Sequence, residues 1–248
     1  MTNFDDYSGR YSRAALRREG GVLEITLHNG QGGSLVWDEP AHRELGDLFA
    51  DVGRDADNRV VILTGAGDDF CSTCDSASFA SVGGGRSWDK IFTEGRRLIE
   101  NLLGIDVPMI AAVNGPATWH AELAVLCDVV LAAEHAVFQD APHLPNAVPA
   151  DGVHTVWPAL LGPSRGRYFL LTKEIIDAHE AKRLGFVHEV LSKDGLLERA
   201  WDLARQLDAA RPLVLKYTRL SVTSAIKAAV LPDLAYGLAL EGLAALSD

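Results

Sequence analysis

His143 and Asp151 stand in an apolar, proline-bounded stretch of the chain. A carboxylate that orients an imidazole also raises its basicity, and such a pair can take a proton from water. His120 is a second imidazole, set at a turn where it can donate to a carbonyl oxygen. Each residue also has a plainer use. Asp151 could cap a helix starting at Gly152, the commonest employment of such a residue. His143 could be an ordinary loop histidine, and His120 could sit at a helix N-terminus. Cys71-Ser-Thr-Cys74 has the spacing of a zinc knuckle, but no second pair accompanies it. It reads better as small residues in a tight turn, so no metal is expected. Gly83-Gly-Gly85 has no following Lys-Ser/Thr and is not a phosphate loop; a loop over the mouth of a site suits it better.

Strands alternating with helices must position these groups. Residues 21–27 alternate as a half-buried strand. Asp38 is a helix cap with Pro40 in the first turn, and the helix is expected to reach about Val52. Residues 59–64 and 109–113 are buried strands, the second closed by Asn114-Gly115. Ser87 is placed to cap a long helix ending near Gly104. Two more strands are expected at 128–132 and 136–138. Asp177 with Glu180 forms a capping box, and 185–190 a short strand. Helices dominate from about Lys193. The fold class is therefore α/β. The chain divides into a core over residues 1–192 and a C-terminal helical region over 193–248.

Bulk properties narrow the partners. The chain has 248 residues, 48% hydrophobic, with a net charge of −11. That acidity argues against nucleic acid and against anionic membrane surfaces. No apolar run approaches the roughly 20 residues needed to span a bilayer. The first residues lack a secretory h-region, and the sparse cysteines Cys71, Cys74 and Cys127 suit a reducing compartment, so a cytoplasmic location is expected.

Three ordered motifs carry a resemblance. Ile110-Ala-Ala-Val-Asn-Gly115, followed by Ala121-Glu-Leu-Ala124 and Cys127-Asp128, resembles the signature of enoyl-CoA hydratases and isomerases, the crotonase superfamily. Val60-Val-Ile-Leu-Thr-Gly65 through Phe70-Cys-Ser-Thr-Cys-Asp75 resembles its first oxyanion segment. Residues 177–187 resemble its stretch after the active site. The resemblance implies a ββα spiral core, C-terminal helices packed across subunits of a homotrimer or dimer of trimers, and a small-molecule substrate. It also implies an enolate oxygen held by two backbone N–H groups, which fall at Cys74 and Trp119. Each such donor is worth roughly 3 kcal/mol. A helix starting near Trp119 would add its positive end.

The hydratase pattern is incomplete. Thr118-Trp119-His120 replaces the glycine turn. Glu122 matches the first catalytic glutamate, but the second is absent, with Pro142 or His143 in its place. Glu122 is then a substrate-binding group or a hydrogen-bond acceptor left from that pattern. Gly67-Asp-Asp-Phe70 is acidic where a CoA pyrophosphate would favour a basic residue.

The replacements resemble the β-diketone hydrolase branch of the superfamily, typified by 6-oxocamphor hydrolase. By that resemblance His143 and Asp151 are base and orienter, His120 and Trp37 bind substrate carbonyls, and Glu241 assists proton transfer. The implied reaction is cofactor-free, metal-free retro-Claisen hydrolysis of a cyclic diketone. The alternatives are an acyl-CoA hydratase, isomerase or thioesterase, and a silent binding protein that keeps the fold.

Overall fold

A one-turn helix, α1 (Phe4–Tyr7), leads into the antiparallel strands β1 (Ala14–Glu19) and β2 (Val22–Leu27). The computed structural model describes residues 2–79, 85–141 and 147–245. His143, Gly83 and Gly84 lie outside the described residues. β2 forms where a strand was expected, but it is buried at nearly every position and not on alternate residues, because both faces of the sheet are covered. β1 is an additional strand whose Arg17-Arg18-Glu19 end disguises it, because charged side chains are tolerated on a sheet edge.

The chain continues through β3 (Leu35–Trp37), α2 (Glu39–Arg54), β4 (Val60–Gly65) and β5 (Cys71–Cys74). A 3₁₀ turn (Ser76–Phe79) precedes α3 (Gly85–Gly104) and β6 (Met109–Val113). Asp38 caps α2 as expected, its Oδ1 accepting from the Ala41 amide at 2.9 Å. α3 begins two residues before the expected Ser87 cap.

Next come α4 (Glu122–Val125), β7 (Val129–Ala133), β8 (Val137–Phe138), α5 (Val153–Leu161) and α6 (Pro163–Thr172). Then follow β9 (Ile176–Asp177), α7 (Ala178–Leu184), β10 (Glu189–Leu191) and α8 (Lys193–Asp208). The last elements are α9 (Pro212–Val222), α10 (Ser224–Val230) and α11 (Leu234–Ala245). Asp177 caps α7 through the Glu180 amide at 2.8 Å.

Six strands form the main sheet in the order β1-β2-β4-β6-β7-β10, parallel throughout except for the β1–β2 pair. One face of the sheet is sealed by α8, whose Leu196, Ala200, Trp201 and Ala204 pack on Val60, Ile62, Ile110 and Leu131. The other face carries the larger core, with Leu45, Leu48 and Phe49 of α2 and Leu98, Ile99 and Leu102 of α3. Residues buried on both faces explain why these strands read as continuous apolar runs.

Two sequence expectations are corrected here. The helix after the Asn114-Gly115 turn is the single turn α4, starting at Glu122 and not near Trp119. His120 interrupts it with a left-handed backbone, φ 50°. The stretch Ser224–Ala245 is long and apolar enough to cross a bilayer, contrary to the reading that no such run exists. It is no continuous rod, however: residues 231–233 divide it into α10 and α11, and Leu234 and Leu238 of α11 are buried in the main core.

Candidate active site

Four segments, with walls from β5, the 3₁₀ turn and α3, line a cavity of about 230 Å³. The first is the junction of β3 and α2. Parallel pairing with β5 sets Trp37 opposite Cys74, and the next residue, Asp38, is tied down by Arg13 at 2.6 Å as well as by the α2 cap. Trp37 is thus fixed on both sides and almost wholly buried. His42, in the first turns of α2, is buried edge-on to Trp37 and also to Phe79. Its Nδ1 meets Glu94 Oε2 of α3 at 3.0 Å.

The second segment is the turn after β6. Asn114 takes the Gly65 amide on its Oδ1 and donates through Nδ2 to the carbonyls of Gly67 and Asp69. Gly115 passes so close to Asp68 that a Cβ there would lie 1.8 Å from the Asp68 carbonyl oxygen, so only glycine fits. Ala117 then bridges β5 and β8. This anchoring delivers Trp119 and His120 to the cavity. The His120 ring lies on Trp37, centroids 3.6 Å apart and planes at 28°. Its Nδ1 meets Glu122 Oε1 at 2.5 Å, and both residues are buried.

Backbone geometry treats the two expected oxyanion donors differently. Asp75 N–H donates to Trp37 O. Successive strand amides point to opposite sides, so the Cys74 N–H faces away from β3. The Trp119 N–H, by contrast, already donates to Cys71 O at 3.0 Å. A substrate oxygen would have to share it. The single-turn α4 adds little helix dipole.

The third segment is the entry to α5. Asp151 and Gly152 both have left-handed backbones, φ 47° and 80°. The N-cap of α5 is Gly152, so Asp151 stands one position before the cap. Its carboxylate lies against α3, where a Cβ on Gly95 would stand 2.4 Å from Asp151 Oδ1.

α11 is the fourth segment. Glu241 reaches the cavity, and its carboxyl is pushed up to about 9, first by burial and then by the charges of Asp151 and Asp140. One residue on, Gly242 lets Trp88 of α3 lie flat on α11: a Cβ would meet Trp88 Nε1 at 1.9 Å. Trp88, Ile91, Phe79 and Trp119 make the apolar walls.

Trp37, Cys74, Trp119, His120, Asp151 and Glu241 therefore share one cavity. Glu122 does not line it; its carboxylate bonds to the His120 ring. The position of His143 lies outside the described residues. His42, Glu94 and Trp88 complete the surroundings and were not singled out from sequence. A histidine on the apolar face of α2, beside Ala41 and Leu45, was the available signal for His42. Among the described residues no group of three or more His, Cys, Asp or Glu could hold a metal. The cysteines are free, and burial raises the thiols of Cys71 and Cys74, which makes them poor nucleophiles.

Sheet, spiral connections and anchored Asn-Gly turn define a crotonase-type enzyme. The chain matches the enoyl-CoA hydratase/isomerase family over residues 17–240 and belongs to it. It is similar to the solved structure of a beta-diketone hydrolase from the cyanobacterium Anabaena sp. PCC 7120, bound to (S)-3-oxocyclohexyl acetic acid. That likeness has a TM-score of 0.95 and 47% identity, over 97% of each chain. An enoyl-CoA hydratase/isomerase from Mycobacterium paratuberculosis superposes with a TM-score of 0.89 at 25% identity, over 96% of this chain and 95% of that one. In sequence the chain is 34% identical to a carnitinyl-CoA dehydratase from Citrobacter koseri, over 80% of this chain and 75% of that protein.

Proposed function

We propose that the protein hydrolyses a C–C bond of a cyclic β-diketone. The convergence of His120, Asp151 and a proton-holding Glu241 on one small aromatic-walled cavity carries the reading. At about 230 Å³ the cavity suits a compact ring system better than a drug-sized ligand of ~300–1,000 Å³. The likeness to the Anabaena hydrolase, whose ligand is a cyclic keto acid, supports the same reading.

In the proposed reaction His143, oriented by Asp151, takes a proton from water. The hydroxide oxygen bonds to one carbonyl carbon. The bond from that carbon to the α-carbon breaks, and its electron pair becomes the enolate of the second carbonyl. His120 and the Trp37 indole N–H hold the enolate oxygen. Glu241, kept protonated at neutral pH, returns a proton to the α-carbon and is recharged from His143. Atoms balance with water as sole co-reactant: diketone plus water gives a keto acid. Incubation with bicyclic 1,3-diketones should yield keto acids, and His143→Ala should abolish turnover while the far-UV spectrum is kept. Absence of product from several such diketones with a folded protein overturns the reading.

The carnitinyl-CoA dehydratase relatives favour a second reading, acyl-CoA processing. One feature weighs against it: Glu122, the retained hydratase carboxylate, is engaged by His120. Tight binding of an acyl-CoA by calorimetry would favour this second reading.

A further inference from the structure

We propose that Glu122 is a positioning residue, which locks the His120 ring and keeps it as the imidazolium that binds the substrate carbonyl oxygen through Nε2. This rests on the diketone reading only for the identity of that oxygen; the pairing stands on geometry. In the hydratase arrangement a glutamate at this position meets substrate. Here the carboxylate has been turned onto a neighbour in its own chain.

His120 Nδ1 and Glu122 Oε1 are in direct contact at 2.5 Å, and an imidazolium facing a carboxylate makes a charge-assisted hydrogen bond. Glu122 is 2% exposed and His120 8%. A carboxylate so buried is costly unless a cation or strong donors satisfy it, and an imidazolium in direct contact meets that need. Residues two apart on a regular helix do not face each other. They meet here because His120 adopts φ 50° immediately before α4. A left-handed backbone is strained for a residue other than glycine, and sites of function retain such strain when the surroundings compensate it. The Trp37 face fixes the ring on its other axis. With Nδ1 held by Glu122, Nε2–H is the ring donor left for the substrate oxygen in this proposal.

Other titratable groups surround the pair. Cys71 and Cys74 of β5 are thiols raised by burial and stay neutral. His42 of α2 stands beyond Trp37, paired with Glu94. Asp151 and Glu241 face the cavity from the entry of α5 and from α11, with Asp140 near Glu241. Glu122 makes the direct contact, and it is the group whose removal should act on His120 first.

The test is a ¹⁵N NMR titration of the His120 ring in substrate-free protein, for wild type, Glu122→Gln and Glu122→Asp, together with kcat and KM on a bicyclic 1,3-diketone. Wild type should keep the imidazolium signature well above the usual histidine midpoint of about 6.5. Glu122→Gln should bring the midpoint down to or below that value and lower kcat by about 100-fold, with a smaller change in KM. Glu122→Asp, which keeps the charge, should restore part of both. In a His120→Ala background Glu122→Gln should cause no further loss. An unchanged His120 midpoint in Glu122→Gln, or losses that multiply in the double variant, overturns the proposal. The titration needs no substrate. A protein that cleaves no diketone yet shows the Glu122-dependent shift overturns the hydrolase reading and supports the pairing.

Discussion

Trp37 and His120 lie face to face, ring centroids 3.6 Å apart, although 83 positions separate them in the chain: Trp37 ends β3, and His120 follows the turn after β6. Trp37 is held by β5 and by the capped start of α2, so the stack transmits the rigidity of those elements to the imidazole. Trp37→Phe keeps a ring under His120 and removes the indole N–H. We expect kcat/KM to fall about tenfold, the value of one hydrogen bond of ~1.4 kcal/mol. Trp37→Ala also removes the platform, and the fall should reach on the order of a thousandfold as His120 loses its alignment. Thermal unfolding should show that variant ~3–5 kcal/mol less stable. Equal rates for the two variants would show that the stack positions nothing.

Glu241 gives the protein a pH dependence of definite sign. Its carboxyl is raised from 4.5 to about 9, with burial as the first cause. Between those values the folded protein holds a proton that the unfolded chain has released, so stability falls as pH rises across that window. Glu241→Gln cannot ionise and should flatten this slope, gaining on wild type at pH 8 to 9 in denaturant titrations. Activity that needs the protonated acid should decline as pH passes about 9. A wild-type rate profile flat through that region would remove Glu241 from proton transfer.

Much of this arrangement was legible in the sequence, and the remainder was not for identifiable reasons. Strands buried on both faces and the Asp38 cap announce themselves through local pattern and local hydrogen bonding. The family motifs pointed to Cys74, Trp119 and His120, and the β-diketone hydrolase resemblance to Trp37, Asp151 and Glu241, all of which line one cavity. β1 was hidden because an edge strand need not be apolar. The left-handed backbone at His120 has no sequence marker, since Thr118-Trp119-His120 contains no glycine. That single angle shortens the expected helix to α4 and turns Glu122 onto His120. The His42–Glu94 contact spans 52 positions and depends on α2 packing against α3. No local pattern reports it.

An apolar face remains exposed at the C-terminal end. Leu213, Val214, Tyr217 and Val222 on α9 and Tyr236 and Leu243 on α11 are all more than half exposed. Such clusters mark association surfaces. We expect light scattering to give three or six chains per particle, and Tyr217→Asp with Val214→Asp to release monomers. A monodisperse monomer for wild type would refute self-association through this face.

Asp151 offers the sharpest separation of catalysis from folding. Were it a helix cap, Asp151→Asn would be nearly silent, since asparagine caps as well as aspartate. The N-cap residue of α5 is Gly152, one position after Asp151. As the orienter of a histidine base, Asp151→Asn should lower kcat by about 10⁴-fold with little change in melting temperature. Gly95 provides an independent approach to the same group. A methyl at Gly95 would sit 2.4 Å from Asp151 Oδ1 and 3.2 Å from a Leu238 methyl. Gly95→Ala must therefore displace the carboxylate or part α3 from α11, at a cost of ~1–3 kcal/mol. Its kcat should drop at least about tenfold though every cavity side chain is retained, because misplacement of about 1 Å costs as much as 100-fold. Full activity in Gly95→Ala, measured alongside an inactive Asp151→Asn, would show that the carboxylate tolerates movement and that its charge alone matters.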